Sequence, residues 1–163
     1  MTIERDLSLF SGEGYNKGRN IVWQFLWYAF SNLIFKKFWF PLKLRPIFLR
    51  FFGASVGAGV RIRENVSIHW PWKLKIGDHC WIGTEVLILN LENVEIQDNV
   101  CISQRAFICT GSHNTKSTTF EFSNKPIVIE SSAWICAYAL ILPGSRISLG
   151  TVVPGGTTFP KRG

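Results

Sequence analysis

The chain has 163 residues, of which 47% are hydrophobic, 14% aromatic and 18% charged, and 18 Lys and Arg against 11 Asp and Glu give a formal net charge of +7. One domain with one core fits that length, and the composition excludes a disordered, collagenous or coiled-coil chain. The longest apolar stretch, residues 21–35, is interrupted by Gln24, Ser31 and Asn32 and is short for a spanning helix.

Residues 1–20 are polar and Gly-rich, without a basic region leading into an apolar run and a small-residue cleavage site, which points to the cytoplasm. Cys80, Cys101, Cys109 and Cys136 include no C-x-x-C pair and read as reduced thiols. The positive charge is local. Between Lys17 and Arg63 stand nine Lys or Arg and twelve of the 23 aromatic residues, with no Asp or Glu.

In chain order, the first element is a helix near 21–38. Val22, Phe25, Leu26, Ala29, Phe30 and Leu33 recur at the spacing of one helical face, Asn20 can cap its start, and Pro41 stops it. Trp23, Trp27 and Trp39 fall off that stripe, so the helix is apolar on more than one side. A second helix begins with Pro46 in its first turn and ends at Gly53, burying Ile47, Leu49 and Phe51 or Phe52. Residues 1–53 are thus expected to form an N-terminal helical segment that caps the remainder of the chain.

From residue 56 the helical period gives way to another. Ile or Val stands at 56, 62, 68, 76, 82, 88, 96, 102, 108, 129, 135, 141, 147 and 153, although those two residue types fill only 27 of the 163 positions. A second small or apolar residue often stands four places later, as at Val60, Cys80, Ala106 and Ala139. Six residues make one short strand and a corner, and the gaps of eight after every third repeat imply three faces per turn. The expected fold is all-β, a triangular prism of about five parallel coils over residues 54–163: 56–73, 76–93, 96–113, 129–146 and an incomplete one from 147.

The one long interval, from Ile108 to Ile129, ejects a loop at 109–128 from the third coil. Long loops on rigid scaffolds carry function. This one begins Cys109-Thr110-Gly111-Ser112-His113-Asn114, and Asn90 lies one coil below its base. The other two histidines, His69 and His79, stand at different heights in the repeat, so no metal site is expected. Neither a phosphate-cradling Gly-rich loop before a helix nor a Gly-x-Ser-x-Gly elbow occurs.

These residues resemble the hexapeptide-repeat acyltransferases with the left-handed parallel β-helix fold, and among them the colanic acid biosynthesis acetyltransferase group. The resemblance rests on the repeat together with Leu49-Arg50-Phe51-Phe52-Gly53-Ala54, the run from Trp70-Pro71-Trp72 to His79, Ile102-Ser103-Gln104 and Cys109-Thr110-Gly111-Ser112-His113. It implies a homotrimer that binds acetyl-CoA between adjacent prisms and moves acetyl to a sugar hydroxyl in exopolysaccharide or surface-glycan assembly. His113 would be the general base, a role that suits a side chain titrating near neutrality. Asn90, Ser112 and Asn114 would meet the acceptor; Trp134, Ala137 and Gly155 would line the pantetheine arm, and Lys161 would approach the nucleotide phosphates.

The group usually has Asp after the histidine, where this chain has Asn114. Its members also continue past the last coil with a segment that helps close the CoA site, whereas this sequence stops at Gly163. Alternatives are N-acetylation of a nucleotide-linked amino sugar, acetylation of a small acceptor, and a non-catalytic β-helix scaffold subunit. The basic aromatic segment 17–53 is read as a cap that packs on neighbouring subunits, or as a peripheral contact with the inner face of the cytoplasmic membrane, which would suit a lipid-linked acceptor. No nucleic-acid module is recognised.

Overall fold

The computed structural model describes residues 3–160. Helix α1 (Ile21–Phe30) opens on Asn20, whose side chain accepts from the Trp23 amide at 3.0 Å, and it runs on as a π-helical segment, Ser31–Phe35. Helix α2 spans Arg45–Phe51, one residue earlier than Pro46 suggests. Among the described residues no helix is long and apolar enough to cross a membrane.

Among the described residues fifteen short parallel strands follow. The first coil holds β1 (Ser55–Val56), β2 (Arg61–Ile62) and β3 (Ser67–Ile68); the second holds β4 (Leu74–Ile76), β5 (Trp81–Ile82) and β6 (Leu87–Leu89). The third holds β7 (Val94–Ile96), β8 (Cys101–Ile102) and β9 (Phe107–Cys109), and the fourth β10 (Ile127–Ile129), β11 (Trp134–Ile135) and β12 (Leu140–Ile141). The last is not incomplete as the numbering suggests: it carries β13 (Arg146–Ile147), β14 (Val152–Val153) and β15 (Thr158–Phe159). Corresponding strands stack into three five-stranded sheets, β1-β4-β7-β10-β13, β2-β5-β8-β11-β14 and β3-β6-β9-β12-β15, the three faces of a left-handed parallel β-helix.

The six-residue register is also the stacking register. Val56, Ile76, Ile96, Ile129 and Ile147 form one ladder; Ile62, Ile82, Ile102, Ile135 and Val153 form the second; Ile68, Ile88, Ile108 and Ile141, ending on Phe159, form the third. All fourteen Ile and Val of this series are buried. Period-2 alternation explains this, because the strand residue before each ladder position faces out.

The third residue after a ladder position turns the corner in the left-handed backbone region, which side chains other than glycine rarely adopt. Gly59, Gly144, Gly150 and Gly156 do so without cost, whereas Asn65, His79, Glu85, Asn99, Arg105, Ser132 and Tyr138 do so with side chains. Neighbouring coils offset the strain: the amides of His79, Asn99, Arg105 and Ser132 donate to carbonyls of the coil before, at 2.7, 2.8, 3.0 and 2.9 Å. The corner between the third and first faces is different. There the chain inserts a short turn at Pro71–Lys73, a bend at 91–93 and, above them, the long loop after β9.

The cap seals the first coil with a side turned away from most of the expected stripe, of which Phe30 alone packs on the core. Trp27, Ser31 and Phe35 are buried, Trp23 is half-buried, and Val22, Phe25, Leu26 and Leu33 face outward. The indole N–H of Trp27 donates to the Ile68 carbonyl at 3.0 Å, tying α1 to β3. Leu49 of α2 and Phe52 at its C-cap are buried, but Ile47 and Phe51 are exposed. A helix apolar all round does not say which side has a partner; the open end of the first coil decides it. Arg45 is wholly buried beneath this junction and donates to the carbonyls of Phe35, Lys37 (2.7 Å) and Phe40 (3.1 Å), satisfying the end of the π-helical segment.

The described residues before α1, 3–20, lie outside the helical cap. They run as a strap from the long loop to the corner at Trp70–Lys73: the Asp6 amide donates to the Thr118 carbonyl at 3.0 Å, and at the other end the Trp72 indole N–H donates to the Lys17 carbonyl at 2.7 Å.

Candidate active site

The long loop is an ordered ribbon rooted in the prism. Thr110 is buried, and its hydroxyl donates to the Leu89 carbonyl (2.9 Å) while accepting from the Glu92 amide (3.0 Å). From there the two arms pair: the Asn114 amide donates to the Glu121 carbonyl, the Ser123 amide to the Ser112 carbonyl, and His113 faces Phe122 in an antiparallel bridge. The alternation Phe120-Glu121-Phe122 is a legible strand signal, obscured by the loop's polar start.

His113 lies in this ribbon, half-buried. Its ring stacks on Phe120 with centroids 4.2 Å apart and planes 6° apart, and on Phe122 at 5.1 Å and 23°, with Phe10 of the strap edge-on at 6.0 Å. Nδ1 is 2.7 Å from the Phe120 carbonyl oxygen. A carbonyl only accepts, so Nδ1 carries the proton in the neutral ring and Nε2 keeps its lone pair. Phe120 itself has φ of 55°, an uncommon conformation for a bulky side chain. Unlike the corner residues of the prism it lies outside the repeat, and it is the residue whose carbonyl orients the histidine.

The strap holds the other arm. Both oxygens of the Glu121 carboxylate accept from it, one from the Ser11 amide (2.8 Å) and hydroxyl (3.0 Å), the other from the Gly12 amide (3.0 Å). Donation from the Ser11 amide, the largest of these effects, lowers the Glu121 pKa from its ordinary value. Nothing in the spacing of residues 3–20 signals this contact, which joins positions about 110 residues apart.

The structure distributes the remaining expected residues unevenly. Ser112 flanks His113 and donates its amide to the Asn124 side chain at 3.0 Å. Asn114 is exposed, and its carboxamide oxygen accepts from the Lys116 amide at 3.0 Å, closing the turn after the histidine. Asn90 is not available to an acceptor: it is completely buried, with Oδ1 accepting from the Trp70 amide (2.9 Å) and Nδ2 donating to the Trp70 carbonyl (2.6 Å). It braces the corner below the loop.

Trp134 lies exposed on the second face and donates its indole N–H to the Ser103 hydroxyl at 2.8 Å. Ala137 and Gly155 stack at the corner between the second and third faces, where the Gly156 amide donates to the Ala137 carbonyl at 2.9 Å. A Cβ on Gly155 would sit 3.0 Å from that carbonyl oxygen, so a side chain would crowd the corner. Lys161 lies outside the described residues. The second face is opposite the corner that carries His113, so within one chain the histidine and the Trp134 group lie on different sides of the prism.

All four cysteines are unpaired. Among the described residues no three His, Cys, Asp or Glu side chains gather as a metal site would require.

A triangular β-helix with a histidine-bearing loop at one corner defines a class of protein, and comparison with known chains narrows it. No family model matches the sequence. The protein named for colanic acid biosynthesis acetyltransferase WcaF in Escherichia coli (strain K12) is 40% identical over 152 residues, covering 91% of this chain and 82% of that one. Nodulation protein L of Rhizobium meliloti (strain 1021) is 29% identical over 101 residues, 60% of this chain and 55% of that one. Among solved structures, the hexapeptide-repeat-containing acetyltransferase VCA0836 of Vibrio cholerae O1 biovar eltor, complexed with acetyl-CoA, superposes with a TM-score of 0.77 at 21% identity, covering 93% of this chain and 84% of that one. A maltose O-acetyltransferase from Clostridium difficile 630 gives a TM-score of 0.70 at 21% identity, over 93% and 89%. The chain belongs to the hexapeptide-repeat acetyltransferases, and within them to the colanic acid biosynthesis acetyltransferase group.

Proposed function

We propose that this protein moves acetyl from acetyl-CoA to a sugar hydroxyl in exopolysaccharide or surface-glycan biosynthesis, with His113 as general base. The observation that carries the reading is the Nδ1 contact with the Phe120 carbonyl, which leaves Nε2 as the free basic nitrogen. An alcohol is a weak nucleophile until its proton is removed, whereas a neutral amine attacks with its own lone pair, so a positioned imidazole favours an oxygen acceptor. As the hydroxyl oxygen bonds to the thioester carbon, Nε2 takes its proton; the carbon–sulfur bond breaks, and the imidazolium returns the proton to the departing thiolate. The thioester supplies the activated acyl group, and the chain supplies the base and its orientation.

Because Trp134, Ala137 and Gly155 lie across the prism from His113, one complete site needs two chains. A homotrimer satisfies this by setting the second face of one prism beside the loop of the next. In that groove Trp134 and the Ala137–Gly155 corner line the pantetheine arm, Lys161 is assigned to the nucleotide phosphates, and Ser112 and Asn114 border the acceptor. Asn90 is left out of the ligand set. Acetyl-CoA is a cytoplasmic metabolite, and the cytoplasm is the proposed compartment.

Titration calorimetry with acetyl-CoA, followed by His113→Ala in an acceptor assay, tests the reading. Saturable binding and a turnover loss of about 10²–10⁴ are expected. Absence of binding in the folded protein would favour a scaffold subunit, and acetylation of amino sugars alone would assign the protein to N-transfer.

A further inference from the structure

We infer that the helical cap docks on an anionic lipid bilayer. The inference rests on the outward side of the cap and not on the acetyl-transfer reading. Helix α1 buries Trp23, Trp27 and Phe30 against the first coil, and its other side carries Ile21, Val22, Phe25, Leu26 and Tyr28 to solvent, without a charged residue anywhere in the helix. The segment after α1 extends the surface: Leu33 is 68% exposed, Phe38 84%, Trp39 57% and, from α2, Phe51 66%. Scattered exposed apolar residues need no explanation, but a concentration of this kind on one small cap marks a surface that meets something.

The charges say what. Lys36, Lys37 and Lys43 stand among Leu33, Phe38, Trp39 and Leu42, and among the described residues none of the three has a carboxylate partner. From Lys17 to Arg63 the sequence holds no Asp or Glu. A second copy of the chain meeting this patch with its own would set cations against cations, which is costly on partial desolvation. A partner that is apolar within and negative at its surface fits both features, and an anionic bilayer has that construction: Trp and Phe enter at the headgroup boundary while Lys meets the phosphates.

The test uses the full chain and sedimenting vesicles of phosphatidylcholine alone or with about one-third phosphatidylglycerol, in roughly physiological salt, where screening length is ~8 Å. Expected are co-sedimentation with the anionic vesicles at least about tenfold above the neutral ones, and loss of it at high salt. F38S/W39S and K36Q/K37Q should each reduce binding by about tenfold or more, with circular dichroism and oligomeric state unchanged. Phe38, Trp39 and Lys37 are exposed and Lys36 is half-buried at the end of the π-helical segment, so the dichroism and oligomeric state of each variant separate a loss of lipid contact from a loss of fold. No sedimentation with anionic vesicles, equal binding to neutral ones, or capture only by an acidic protein would overturn the inference. So would dissociation of the assembly in F38S/W39S, which would make the patch a subunit contact.

Discussion

Asn90 shows how a single residue's role depends on its partners and not on its place in a motif. An amide one coil below a histidine loop suggests a substrate contact, but both ends of its side chain are committed to the backbone of Trp70. Asn90→Ala should leave that N–H and C=O unpaired in a buried corner and cost about 1–3 kcal/mol, seen as a lower Tm. If Asn90 touched the acceptor instead, the acceptor KM would rise with little change in Tm. Arg45 makes a similar point, since an ordinary surface cation by composition is a buried guanidinium that accounts for three carbonyls. His113 is legible because histidine in a loop invites catalytic reading, yet its tautomer depends on Phe120, whose left-handed backbone lies outside the six-residue register that places the corners.

At the scale of elements, the ribbon and strap form a single device. Glu121 receives three hydrogen bonds from Ser11 and Gly12, while Phe10 and Phe122 meet at 5.3 Å and Tyr15 and Phe122 at 4.9 Å. A carboxylate held below its ordinary pKa stabilises the folded arrangement above its unfolded pKa, and that stabilisation is lost as pH falls through the lower folded value. Amide resonances of Ser11 and Gly12 should therefore titrate below the usual glutamate range of about 4.3, and E121Q should weaken the strap at neutral pH. Titration of those amides at the ordinary glutamate value would contradict the clamp. Since the ribbon carries His113, E121Q should lower kcat more than the KM for acetyl-CoA.

The whole molecule divides its candidate site between faces, and that division can be measured. H113A and W134E should each be nearly inactive, but subunits of the two mixed, denatured together and refolded should recover a fraction of activity, because some interfaces join an intact loop to an intact second face. Separately refolded proteins mixed without exchange provide the comparison. Lack of recovery in verified hybrid trimers would place the complete site within one chain and remove the argument for the shared groove.

The prism's ladders were determined by sequence, although the last coil was not read to its end at Phe159: a six-residue Ile and Val register translates directly into stacked ladders, because strand periodicity and the distance between coils are local and repetitive. The cap's existence, its Asn20 start and the ejected loop were legible for the same reason, since capping and insertion are local signals. Its orientation was not, because α1 is apolar on all sides and only the open end of the first coil turns Trp23 and Trp27, and Phe35 of the segment after them, inward. The strap on Glu121, the carbonyl behind His113 and the burial of Asn90 are contacts between residues distant in sequence or in unusual backbone, and only tertiary structure brings them together.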